Sequence, residues 1–354
     1  MPPPAADDQP LGPAAAPAEV GRADLAGLIK RAGLVASGCP RLIPLSGGVS
    51  SEIYRVEEEG QAFVVKRALS KLRVEDDWHA DPARNRYEHR YLSVVDRIVP
   101  GAVPRVLHTD DDGGWFAMEW LGEGWRNWKT DLLAGMADAT MAAEAGRLLG
   151  VIHRETCGSR ALRSEFDTDG NFYELRLDPY LLTTGRRHPR LEQLFLAEAQ
   201  RIASTRECLV HGDFSPKNML LREGRLVLLD CEVAWYGDPR FDLAFLLNHL
   251  HLKALYHAPD ASRFAPLCAE ARRAYAAARG WDEAARARFE SSTAGLLLML
   301  MLARVDGKSP VEYLAVLPSR SEFVRRFVND HLPADGVGIE EITQDWFRRI
   351  AVAS

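Results

Sequence analysis

His211-Gly212-Asp213-Phe214-Ser215-Pro216-Lys217-Asn218, with Leu228-Leu229-Asp230-Cys231-Glu232 downstream, is the stretch that decides how this chain is read. A loop carrying Asp213 and then Asn218 sets two polar side chains on opposite sides of one turn. The apolar run Arg225-Leu226-Val227-Leu228-Leu229 reads as a buried strand that delivers the Asp230 carboxylate from its end. Such convergence suits phosphoryl transfer, whose loose transition state leaves the protein to orient a hydroxyl, hold a hard cation and keep the reactants in line. Asp213 is expected to take the proton of the attacking hydroxyl. Asn218 and Asp230 are expected to hold magnesium, and Glu232 adds a second carboxylate that can share it.

The Asp-x-x-x-x-Asn spacing equals that of the protein-kinase catalytic loop. With Gly212 in place of arginine and Asp-x-Glu in place of Asp-Phe-Gly, the two motifs resemble the aminoglycoside phosphotransferase and choline kinase superfamily. The resemblance implies an α+β, two-lobed protein-kinase-like fold with a small antiparallel-sheet N-terminal lobe, a mainly helical C-terminal lobe, and ATP and Mg2+ as cofactors. On this reading residues 1–20 are a disordered tail, Pro/Ala-rich to about Pro17, 21–118 the ATP-binding lobe, and 119–354 the catalytic and acceptor-binding lobe. Without a cation at Gly212 there is nothing to read a phosphorylated activation loop. No peptide-docking segment separates Asp230 from Asp242, so a small-molecule acceptor is expected.

Upstream, Leu45 to Val56 reads as a strand, a glycine turn and a returning strand, in which Gly47 and Gly48 let backbone amides approach phosphates and Ser50 or Ser51 adds hydroxyl contacts. An ordinary hairpin is the competing reading. The strand Ala62–Leu69 carries Lys66, the expected phosphate lysine, toward its end, with Arg67 on the opposite face. A helix beginning near Pro82 carries Glu88, either a partner that holds Lys66 toward the phosphates or a surface glutamate. Val103–His108 and Gly114–Leu121 read as the last strands of this lobe. Met118-Glu119-Trp120-Leu121 falls at the hinge, where the main chain of Glu119 and Leu121 is expected to meet the adenine.

A chain of 354 residues, 47% hydrophobic, is long enough for two lobes, and a formal charge of -6 carries no electrostatic footprint for nucleic acid. Its 5 cysteines form no Cys-x-x-Cys pair, and the first residues lack the basic and apolar regions of a signal peptide, so a reducing cytoplasm is expected. The apolar run Ala294–Ala303 is shorter than the ~20 residues of a membrane span and reads as a core helix. His249 and His251 lack companion metal ligands.

The second lobe is expected to be helical, with one long helix over Asp131–His153 and Asp242 either capping the next or accepting amides of the catalytic loop. The acceptor is expected to be sugar-like, because the Lys66 strand, Trp78, the Arg86/Glu88 helix and Val103-Pro104-Arg105-Val106 are similar to methylthioribose kinases. That similarity implies an acceptor role for Arg304, matched at best to one of the paired arginines of those enzymes. Its competing reading is a cationic helix end. Trp235 either stacks on a sugar ring or packs at the lobe interface. An aminoglycoside phosphotransferase and a catalytically silent nucleotide-binding regulatory protein are the alternative functions.

Overall fold

The computed structural model describes residues 19–36, 40–45, 51–68, 84–332 and 337–353. Strands β1 (Arg41–Pro44), β2 (Ser51–Glu58) and β3 (Gln61–Ala68) form a meander. The chain then enters a helix, Arg84–Ile98, and returns through β4 (Val106–Asp110) and β5 (Trp115–Glu119). The sheet is antiparallel throughout, in the order β1-β2-β3-β5-β4. Period-2 alternation gives it two faces. Tyr54, Val56, Phe63, Val65, Trp115 and Ala117 pack against Leu25 and Ile29 of the helix Glu19–Arg31, and Phe116 joins Tyr91 and Leu92 of the helix Arg84–Ile98 in the larger core. Helix Glu19–Arg31 thus begins inside the stretch that composition assigned to a tail.

Beyond Glu119 the chain is mostly helical, with a three-stranded antiparallel sheet (Arg126–Asn127, Met219–Arg222, Arg225–Leu228) and a two-stranded one (Cys208–Val210, Trp235–Gly237) framing the loop that carries Asp213 and Asn218. The single helix expected over Asp131–His153 is two, Trp128–Leu133 and Ala139–Thr156. The break has a local cause. The chain turns at Gly135, the Met136 N–H reaching back to the Asp131 carbonyl, and Asp138 then caps the new helix by accepting the Thr140 N–H at 2.9 Å. Met136, an apolar residue inside the span expected to be one helix, is 47% exposed at this break.

Helix Ala139–Thr156 lies tight against Ala265–Arg279. A Cβ at Gly146 would stand 2.0 Å from the Ala271 carbonyl oxygen, so the two backbones meet with no side chain between them. Helix Arg240–Tyr256 is buried on every side, and Ala294–Ala303 is core within Glu283–Asp306. Among the described residues no helix is long and apolar enough to cross a membrane.

Candidate active site

Because Phe63 and Val65 face the small core, Val64 and Lys66 face the other way, into a cavity of about 400 Å³ between the sheet and the helical part. Leu45, Ile53 and Val64 line it from the sheet side, and Leu220 and Leu229 line it from below. Glu119 and Leu121 line its connecting wall, and Lys66, Glu88, Asn218 and Asp230 its polar end.

The Lys66 ammonium donates to Glu88 Oε1 at 2.8 Å and to Asp230 Oδ1 at 2.7 Å. Burial alone would push its pKa down, but the Asp230, Glu88 and Glu232 carboxylates outweigh that and hold it charged, well above the ordinary lysine range. Glu88 is therefore no surface glutamate. Its helix is fixed by the buried stripe Tyr91, Leu92, Val94 and Val95, and by Asn85, whose amide donates to the Gly114 carbonyl at 2.8 Å. Asp230 follows the strand with φ 59°, a left-handed turn that aspartate tolerates better than most residues.

The loop that carries Asp213 hangs on Asp242, in the first turn of helix Arg240–Tyr256. Its two carboxylate oxygens accept the N–H groups of His211 at 2.7 Å and Gly212 at 2.9 Å, and His153 lies 3.3 Å away; all are buried. The two readings offered for Asp242 resolve to a loop anchor. Gly212 has φ 76°, and a Cβ there would stand 2.5 Å from the Val233 carbonyl oxygen. No arginine fits at this position. A cation nevertheless reaches Asp213 from elsewhere in the chain. Arg176, in the π-helical stretch Tyr173–Leu182, sets Nη2 3.1 Å from Asp213 Oδ2 while its Nε donates to the Gly212 carbonyl. Lys217 brings its Nζ to 2.9 Å from the same oxygen. Burial would raise the Asp213 carboxyl, but Lys217 and Arg176 more than offset it and hold it far below the usual carboxylate range.

Asn218 spends its N–H on the Asp213 carbonyl at 3.0 Å, which leaves its side-chain oxygen as an acceptor. Glu232 has a carboxylate oxygen within 4.8 Å of oxygens on Asp230 and Glu88, and it is held by Arg84 at 3.0 Å. Carboxylate and amide oxygens are the donors a hard dication takes, so the set fits magnesium, with the Lys66 ammonium lying among them.

Several expectations change. Gly47, Gly48, Ser50 and Trp78 lie outside the described residues. Ser51 is buried opposite Ala68, and its hydroxyl has no partner among the described residues and does not line the cavity. Trp235 offers no face to a sugar: it is 1% exposed, stacked 4.2 Å from Phe172, with its indole N–H on Asp169. An aromatic beside the Asp230 strand carries no sequence sign of which way it points. Arg304 bonds Tyr180 Oη at 3.1 Å and Ser309 Oγ at 2.9 Å, and it borders a second, smaller cavity with Lys217. Arg84 and Arg176 were legible only in three dimensions. Lys217 had a signal, since it lies four residues after Asp213 in the loop itself.

These features define a class. Residues 41–289 match the family model described as a phosphotransferase enzyme family, and the chain belongs to that family. Methylthioribose kinase of Pectobacterium atrosepticum is 25% identical over 230 residues, 56% of this chain and 57% of its own length. The Yersinia pseudotuberculosis enzyme of the same name is 27% identical over 215 residues, 53% of each. The chain thus spans about half the length of the curated relatives it matches. Among solved structures, choline kinase from Cryptosporidium parvum superposes with a TM-score of 0.53 at 12% identity, over 88% of this chain and 96% of that one. Amicoumacin kinase, in complex with AMP-PNP and Ca2+, gives 0.53 at 14%, over 92% and 99%. At these identities the likeness is one of fold.

Proposed function

We propose that this protein is an ATP-dependent small-molecule kinase that transfers the γ-phosphate to a hydroxyl of a sugar-like acceptor. The observation that carries the reading is the Lys66 ammonium, held between Glu88 and Asp230 at the polar end of a cavity that Asn218 also lines, with Asp213 beneath Lys217. Residues 21–118 would bind ATP and 119–354 would supply the catalytic loop and the acceptor site. The apolar walls Val64, Leu220 and Leu229 suit an adenine, and Lys66 suits the α- and β-phosphates. Magnesium, bound by Asp230 and Asn218 with Glu232 near, would neutralise charge on the phosphate oxygens. As the acceptor oxygen bonds to the γ-phosphorus, the bond from that phosphorus to the bridging oxygen breaks, ADP leaves, and the hydroxyl proton passes to Asp213. Lys217 holds Asp213 ionised and in place beforehand. The unpaired state of all four described cysteines supports a reducing compartment such as the cytoplasm.

The test is magnesium-dependent ADP release by the purified protein with methylthioribose, other pentoses and hexoses, choline and aminoglycosides. A hydroxylated sugar-like acceptor is expected to raise turnover over the background ATPase. Turnover with aminoglycosides alone would replace the acceptor class, and ATP binding with no turnover would favour the silent regulator. A polycation is disfavoured by Lys217, which touches Asp213, and by Lys129, Lys253 and Arg304, which line a small cavity with it.

A further inference from the structure

The second cavity is about 20 Å³, room for a single oxygen-sized atom, and it is walled by Lys129, Lys217, Lys253 and Arg304 with His249 and Tyr313 between them. Glu312 is the sole carboxylate among its lining residues, and it is paired with Lys129. Lys217 lines both this cavity and the larger one, and its ammonium touches Asp213. The small cavity therefore lies one side chain away from the proposed base.

Its polar atoms are under-satisfied in one direction. Lys253 is 1% exposed and stands 5.2 Å over the Tyr313 ring, with no ion pair among the described residues. His249 Nδ1, Arg304 Nε and Tyr313 Oη are likewise buried and have no hydrogen-bond partner among the described residues. A buried ammonium without an ion pair of its own is costly, and three of the residues lining the same small space each carry a buried polar atom with no partner among the described residues, which marks a place able to take a further polar group. Burial, with Lys129 and Arg304 adding to it, pushes the Lys253 ammonium down to about 7, and the Glu312 carboxylate, already paired with Lys129, only partly offsets them.

We propose that this cavity is the acid-recognition subsite of the acceptor: the phosphorylated molecule carries a carboxylate or phosphate group, one oxygen of which sits against Lys253, Arg304 and Tyr313 while its hydroxyl reaches Asp213. The inference rests on the kinase reading for the role of Asp213, but the anion subsite stands on its own geometry. The space takes one oxygen and not a ring, so the acceptor body lies outside it, toward Lys217. Carboxylate and phosphate share this chemistry, and the choice of probes separates them.

The experiment is calorimetric titration of the full chain, saturated with magnesium and a non-hydrolysable ATP analogue, with ribose, ribonate and ribose 5-phosphate, repeated on Lys253→Met and Tyr313→Phe. At least one acid is expected to bind about tenfold or more tighter than ribose, the gain of a charge-assisted hydrogen bond, and Lys253→Met is expected to erase that preference. Ribonate alone would name a carboxylate, ribose 5-phosphate alone a phosphate. Ribose binding as well as both acids, or a preference that survives Lys253→Met, overturns the inference. Tyr313→Phe, a milder change, should weaken acid binding and leave ribose unmoved, which serves if Lys253→Met fails to fold. Acid binding without ADP release from any acceptor defeats the kinase reading and leaves the subsite standing; turnover of neutral sugars without acid preference does the reverse.

Discussion

At the scale of single residues the site turns on who neutralises Asp213. Lys217 and Arg176 both touch its carboxylate and hold its pKa far down, so the proposed base is ionised over the whole physiological range. Arg176→Met is expected to raise that pKa. Because Asp213 must be unprotonated to accept a proton, the acidic limb of the kcat/KM pH profile should move to higher pH, and a limb that stays in place would remove Arg176 from this role. Gly212 tests the same loop sterically. Gly212→Ala puts a Cβ against the Val233 carbonyl at a left-handed φ, for an expected cost of about 1–3 kcal/mol and a loss of turnover, read by melting temperature and ADP release. Lys66 lies between two carboxylates, so Lys66→Met leaves buried charges unpaired, at about 3–5 kcal/mol by the usual cost of breaking such a pair.

Among the secondary-structure elements, the contact between helices Ala139–Thr156 and Ala265–Arg279 and the buried helix Arg240–Tyr256 make opposite predictions. Gly146→Ala drives a methyl into the Ala271 carbonyl and should lower the melting temperature by several degrees, the order expected of about 1–3 kcal/mol of overpacking. Lys253→Met should raise it. The folded-state pKa of Lys253, about 7, lies below the ordinary 10.5, so between those values the unfolded chain binds more protons and stability rises with pH. The variant is expected to lack that rise and to melt higher than wild type at pH 7.5. Equal melting curves across pH 7 to 10 would show that Lys253 is not desolvated as described. The sequence made the local chemistry of this lobe plain, because Asp213, Asn218 and the strand leading to Asp230 lie within one short stretch. It did not show the break at Gly135–Asp138, since apolar residues resume after it at Met141, Leu148, Leu149 and Ile152 and no proline marks a stop between the two helices. Nor did it show Arg176 or Arg84, whose partners lie far along the chain, or that Lys253 is buried. Trp235 was legible as an aromatic but not as a buried one, for burial is set by Phe172 and Asp169.

For the molecule as a whole, the fold places a five-stranded sheet over a helical body and leaves a cavity of about 400 Å³ between them, with the charged cluster at one end. Saturating ATP analogue and magnesium should raise the melting temperature by mass action, and Lys66→Met should abolish most of that shift. The family match covers residues 41–289 and so spans the catalytic loop, whereas Arg304, Glu312 and Tyr313 lie beyond it, where acceptor preference is free to differ. The most direct test of the central claim compares wild type with Asp213→Asn in single-turnover phosphoryl transfer to the best acceptor, with ATP affinity measured alongside. Nucleotide binding is expected to stay largely intact while transfer falls on the order of 10²–10⁴-fold, the range for losing a general base. Near-wild-type transfer by Asp213→Asn would contradict the account.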